Sequence, residues 1–140
     1  ANAGESAKPL KQVASGGEIS RIMLALKSVF AVHDRIPALV FDEIDSGIGG
    51  AVARRVAEKM AALARSRQIL CITHLAQIAA AAPHHFTVSK RTAKGQTLTD
   101  LTPVSGGARE NEIARLLDGS VSSVSVEHAR ALLSDMRQKG

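Results

Sequence analysis

Two short apolar runs, each ending in polar, titratable residues, constrain this chain more than any other feature. Ala38-Leu39-Val40-Phe41 runs into Asp42-Glu43, and Gln68-Ile69-Leu70-Cys71-Ile72-Thr73 runs into His74. Continuous apolar runs of this length, bounded by turn residues, are expected as strands buried on both faces, as in a parallel sheet. Between them lie a tight loop, Asp45-Ser46-Gly47-Ile48-Gly49-Gly50, and a helical repeat. That helix should carry Val52, Val56, Met60 and Leu63 on one face, with Arg54, Arg55, Glu58 and Lys59 outside. Strand, helix, strand at this spacing is a βαβ unit with a right-handed crossover. The expected class is α/β with a parallel core.

The flanking segments fit around that unit. Ala1 to Val13, small, polar and basic with Pro9, reads as an approach loop. No Met opens it, so the chain is expected to be a fragment or a processed product. From Ser15-Gly16-Gly17-Glu18 onward, Ile19, Ile22, Met23, Leu26, Val29 and Phe30 recur at helical spacing, and a helix is expected to about His33, before Pro37. A short helix, Leu75 to Ala82, should stop at Pro83. Residues 83–140 then predict a hairpin at a sheet edge and two further helices. The hairpin carries Phe86 and Val88, turns at Lys94-Gly95, and continues through Leu98 and Leu101 toward Pro103. The helices are expected around Arg109 to Leu117, with Gly119 as the stop, and from about Val124 to Arg137, with the intervening serines supplying an N-cap.

The chain has 140 residues, one domain's worth, of which 45% are apolar, so a sizeable core is available. With three Phe and neither Trp nor Tyr, that core must be aliphatic, and binding of single strands by successive stacking aromatics is disfavoured. The formal net charge of +5 suits a polyanionic partner. Cys71 is alone, which excludes an internal disulfide and a cysteine-built zinc site; inside its apolar run it is expected to be a buried, inert thiol. No stretch approaches a membrane span and no signal peptide opens the chain, so a reducing cytoplasm is expected.

Ligands of open α/β sheets bind beyond the carboxyl ends of the strands. The expected pairing delivers Asp42, Glu43 and His74 to one such edge. A strand-end Asp suits Mg²⁺, often through water. The adjacent Glu can hold a water for attack on phosphorus, and the His can stabilise a transferred phosphoryl group. Polar strand ends also arise simply because loops are polar. Ser15 followed by Glu18 is a capping box that any helix start could use; two glycines there also leave bare amides at a positive dipole end, a ready phosphate site. The glycines of 45–50 either make turns or let the loop approach another subunit or a nucleotide. No Gly-x-x-x-x-Gly-Lys-Ser/Thr occurs, so the loop that cradles phosphates is missing and the chain reads as half of an active site.

These motifs, in this order and spacing, resemble those of ABC-type ATPases. Val13 to Glu18 resembles the signature motif, Ala38 to Glu43 the Walker B strand, Asp45 and the glycines after it the D-loop, and His74 the switch histidine. Glu18 stands where transporter ATPases usually carry Gln, and Ile44-Asp45 where they carry Pro-Thr, which points to the SMC-like branch. More narrowly, Ala14 to Lys27, Phe41 to Gly50, Thr73 to Ala79 and Glu112 to Leu117 resemble the RecN family of bacterial DNA repair proteins. Ala14 departs from the Leu of many signatures, but a small residue there fits that family.

The resemblance implies the C-terminal lobe of an ATPase head, residues 1–140, with the motifs in 14–82. It also implies an upstream lobe carrying the Walker A loop and a long coiled coil. Two ATP molecules would lie sandwiched between two heads. Asp42 would support Mg²⁺, Glu43 would be the general base and His74 would contact the γ-phosphate. Ser15, Gly16, Gly17 and Glu18 would meet the ATP of the opposite subunit, and Asp45 would couple the two sites. Implied partners are the N-terminal lobe, a second head as a homodimer, and DNA, with no membrane; the implied setting is the nucleoid and the task is double-strand break repair. Two other readings compete: a non-catalytic basic module that binds DNA or dimerises, and a transporter-type ATPase fragment, against which Glu18 and Ile44 already argue.

Overall fold

A computed structural model describes residues 14–30, 36–93 and 95–139. The expectations for Ala1 to Val13, for a helix reaching His33 and for Lys94 in the hairpin turn lie outside the described residues. The element order is α1 (Gly16–Val29), β1 (Ala38–Phe41), α2 (Gly50–Ala64), β2 (Gln68–Cys71), α3 (Ala76–Ala81), β3 (His85–Ala93), β4 (Gln96–Val104), α4 (Gly106–Asp118) and α5 (Ser123–Lys139). β1 and β2 pair in parallel, from Ala38 against Gln68 to Phe41 against Cys71. The βαβ reading therefore holds, and the class is α/β.

The strands are not buried on both faces as expected. Leu39, Ile69 and Cys71 pack against the core and Phe41 lies in it, while Val40 and Leu70, paired across the ladder, are more than half exposed. The side-chain alternation of a strand decides this: Leu39 and Phe41, with Ile69 and Cys71, turn one way to the core, and Val40 and Leu70 between them turn the other. The face expected for α2 is also rotated. Val52 is exposed, and Ala53 and Ala57 join Val56, Met60 and Leu63 inside, their small side chains lying on the side turned to the core.

The aliphatic core is completed by α3, whose Ala76, Ile78, Ala79 and Ala80 are buried, and by Ile113 and Ala114 of α4 with Ala129, Leu133 and Met136 of α5. Arg109 fastens α4 to the end of α3 by donating to the carbonyls of Ala79, Ala80, Ala82 and Pro83. Gly119 ends α4 in the left-handed region (φ 74°), its N–H returning to the Arg115 carbonyl at 2.9 Å, as a glycine stop should. Ser122 and Ser125 then cap α5 reciprocally: the Ser125 amide donates to the Ser122 hydroxyl at 3.1 Å and the Ser122 amide to the Ser125 hydroxyl at 2.8 Å. The hairpin β3–β4 forms a separate antiparallel sheet, not an edge of the parallel one. Its ladder closes on itself from His85 opposite Val104 to Ala93 opposite Gln96.

α1 differs from the other helices. Only Gly17 and Leu24 are buried, while Ile19, Ile22, Met23, Leu26, Val29 and Phe30, the periodic apolar positions, are exposed. No described helix is long and apolar enough to cross a membrane. This distribution separates core from surface sharply. Ile113→Ala should cost about 2–5 kcal/mol in urea unfolding, whereas Ile22→Ala should stay within about 0.5 kcal/mol.

Candidate functional site

The site is built where β1 and β2 end side by side. The Ile72 amide donates to the Phe41 carbonyl at 3.0 Å, extending the ladder by one bond, and both chains then leave the sheet at the same edge. After Phe41 the chain turns through Asp42 to Ser46, closed by the Ser46 amide donating to the Glu43 carbonyl at 3.0 Å. Glu43 has φ 57°, the only positive φ on a non-glycine residue among the described residues. A left-handed backbone costs such a residue roughly 1–2 kcal/mol, so the surroundings must hold it there.

They do so from α1. Ser20 donates its hydroxyl to the Asp42 carbonyl at 2.9 Å, and Arg21 donates one guanidinium nitrogen to the carbonyls of Ile44 and Ser46 at 3.1 and 2.7 Å. The α1 start approaches so closely that position 17 has no room for a side chain. A Cβ there would fall 2.8 Å from both the Glu43 carbonyl oxygen and the Ser46 Cβ, and one at position 16 would run into the Glu43 carboxylate. The two glycines thus have a packing reason inside this chain besides any ligand. Ser15 and Glu18 complete the capping box: the Glu18 amide donates to the Ser15 hydroxyl at 3.3 Å and the Ser15 amide to the Glu18 carboxylate at 2.8 Å.

From β2, Thr73 and His74 are tied to the same turn through Asp45. This carboxylate is buried, 4% exposed, and its Oδ2 lies 2.6 Å from the Thr73 hydroxyl, 2.7 Å from the His74 amide and 2.9 Å from His74 Nδ1. Burial pushes the Asp45 carboxyl upward, but the Thr73 hydroxyl, the His74 amide and the His74 ring together hold it below its ordinary 3.8. The outcome at this edge is a division of labour. Asp42, Glu43 and the His74 ring are exposed, while Asp45 and Ile44 beneath them are buried. Asp42 and Glu43 offer hard oxygen donors at a strand end, yet among the described residues no group of three or more His, Cys, Asp or Glu is arranged to hold a metal. Cys71, half-buried beneath, has its thiol pushed up to about 12 by burial and by the Asp45 and Asp42 charges, which fits the inert role expected of it.

Three contributors went unassigned by sequence reasoning: Ser20, Arg21 and Thr73. An Arg one turn past a glycine pair was a usable signal, because a long donor there reaches loop carbonyls beyond the one that Ser20 meets.

No family model matches this chain. The DNA repair protein RecN of Deinococcus radiodurans is 51% identical over 134 residues, 96% of this chain, and that of Treponema pallidum is 52% identical over 134 residues, 95% of it. Over nearly its whole length the chain is similar to RecN proteins. RecN of Bacillus subtilis is 42% identical over 138 residues, 98% of the chain. The chain spans about a quarter of the length of these RecN proteins, 23–24%. A solved structure from "Structural biochemistry of ATP-driven dimerization and DNA stimulated activation of SMC ATPases" superposes with a TM-score of 0.49 at 23% identity, covering 96% of this chain and 68% of that one. That likeness is too loose to argue from.

Two outcomes check the site's construction. Gly17→Ala should destabilise the chain by about 1–3 kcal/mol, since backbone must shift, while Gly49→Ser, at an extended position with open space, should change stability by only a few tenths, about 0.3 kcal/mol. Asp45, its pKa depressed on folding, contributes stability that is complete above 3.8 and lost as pH falls below it; Asp45→Asn should flatten that acid limb in unfolding curves measured against pH.

Proposed function

We propose that this chain is the C-terminal lobe of an ATP-hydrolysing head of a RecN-like protein acting in DNA double-strand break repair, with ATP held between two heads. The observation that carries the reading is a single edge, on which the α1 start, the Asp42–Ser46 turn and the His74 end of β2 are bound together by Ser20, Arg21 and Asp45. Hydrolysis of a phosphoanhydride asks for a water-orienting base, positive charge or donors near the transferred phosphoryl group, and little covalent chemistry. Glu43, exposed and fixed by its backbone, would take the proton of the attacking water. The exposed His74 ring would meet the terminal phosphate. Ser15, Gly16, Gly17 and Glu18 at the α1 start would serve the ATP of the opposite head, and Asp45 would couple the two sites.

The donor set fits Mg²⁺ shared with phosphates and waters rather than caged by protein, since Mg²⁺ keeps several waters and here has exposed carboxylate oxygens but no three-residue cluster among the described residues. Asp42 would hold it, through water. When bound, the ion supplies charge neutralisation at the phosphates; everything else falls to the side chains named.

An upstream lobe with a phosphate-cradling loop is the natural cover for the exposed apolar stripe of α1 and for Val40, Leu70 and Ile72 on the open side of the sheet. A second head and DNA complete the partners in this reading, the latter suited by the net charge of +5. The test is reconstitution. The chain alone should turn over no ATP, and turnover should appear once the missing lobe is supplied. Glu43→Gln should then lower kcat by at least about 10²-fold and accumulate a nucleotide-bound dimer in size-exclusion chromatography. Wild-type turnover in that variant would overturn the assignment of the base.

A further inference from the structure

The hydrogen bonds around Asp45 contain more than an anchor, because they fix where protons sit. The Leu75 amide donates to the Thr73 hydroxyl oxygen at 3.0 Å, which commits that hydroxyl's own hydrogen to Asp45 Oδ2 at 2.6 Å. The His74 amide adds a second donor at 2.7 Å. The His74 ring adds a close ion-pair contact, Nδ1 lying 2.9 Å from the same Oδ2; an ionised carboxylate carries no hydrogen, so its charge favours a ring hydrogen on Nδ1. The carboxylate is buried while the His74 side chain is 72% exposed, so the tied edge of the ring faces inward and its other nitrogen belongs to the open edge.

We propose that Asp45 is a positioning residue that locks the neutral His74 ring in its Nδ1–H tautomer and leaves Nε2 as a bare acceptor on the exposed rim. In water the neutral side chain favours the opposite form, so the lock inverts the intrinsic preference, as second partners of working histidines commonly do. The inference rests on the ATPase reading for its use and deepens it. In the neutral ring Nε2 accepts from a water or from a protonated phosphate oxygen. When it takes up a proton, the same atom donates to a phosphate oxygen, while Nδ1–H stays on Asp45 and the ring keeps its orientation.

Two-bond ¹H–¹⁵N correlation spectra of the full ¹⁵N-labelled chain test the lock, with the His74 signals identified by their loss in His74→Gln. The expected wild-type pattern, at a pH where the ring is neutral, has Nδ1 resonating as the protonated nitrogen and Nε2 as the bare one. In Asp45→Ala the oxygen that faces Nδ1 is gone, and the Nε2–H form should become the major one. A wild-type His74 in the Nε2–H form, or a folded Asp45→Ala chain with an unchanged tautomer, would overturn the proposal. Should Asp45→Ala lose its folded amide dispersion, the wild-type tautomer alone decides between support and refutation. Turnover plays no part in this readout, so a failed Glu43→Gln trap would refute the ATPase reading without touching the tautomer, and the reverse also holds.

Discussion

The Asp45 carboxylate is a charge taken out of water, and burying an ion costs several kcal/mol unless donors replace its hydration. Here the replacements come from just past the end of the other strand: the Thr73 hydroxyl and the His74 amide donate, and the His74 ring lies against the same oxygen. That choice matters because β1 and β2 share only a four-residue ladder, too short to fix how the two chains run after leaving it. The buried anion extends the register past the last ladder bond. Without it, the end of β2 would have no reason to stay beside the turn that follows β1, and the exposed groups of the rim would be independent loop residues.

α1 is fixed from the same turn and pulled in two directions. Its polar residues Ser20 and Arg21 serve the carbonyls of Asp42, Ile44 and Ser46, and its first turn is pressed against Glu43 where glycine alone fits. Its apolar stripe meanwhile faces out. Stability of most helices comes from burying such a stripe, so α1 in this chain rests on caps and loop contacts. The consequence is mechanical: whatever covers that stripe acts on the rim through the rigid α1 start, because helix and turn share hydrogen bonds.

How much of this could be read in advance depends on the range of the interaction. Local signals translated directly. Ser15 with Glu18 formed the capping box, Gly119 formed the left-handed stop, and two apolar runs around a helical repeat formed the parallel pair. Signals that depend on what lies on the other side of an element did not. Val40 and Leu70 looked like core because an apolar run does not say how many layers flank it, and Val52 looked inward because Ala53 and Ala57 carry little hydrophobic weight in a pattern although their size is what lets helices approach. Gly17 shows the same limit: its glycine pair suggested a ligand, and the nearer reason is the Glu43 carbonyl, twenty-six positions along the chain.

The turn itself shows how a strained residue can be both fixed and available. Every carbonyl from Asp42 to Ser46 is engaged: Asp42 by Ser20, Glu43 by Ser46, Ile44 and Ser46 by Arg21, and Asp45 by the Ile48 amide at 3.3 Å. The Glu43 amide is taken by the Asp42 side chain at 2.9 Å. With the carbonyls of the turn spoken for, relaxing Glu43 from its left-handed φ would break several of these bonds at once, and the strain persists because they hold it. Rigidity is thus concentrated in the main chain and in the buried Asp45, while the Glu43 carboxylate and the His74 ring stay exposed above them. An edge organised this way can meet a ligand without first ordering itself, which is the condition under which binding energy goes to the reacting groups and not to assembling them.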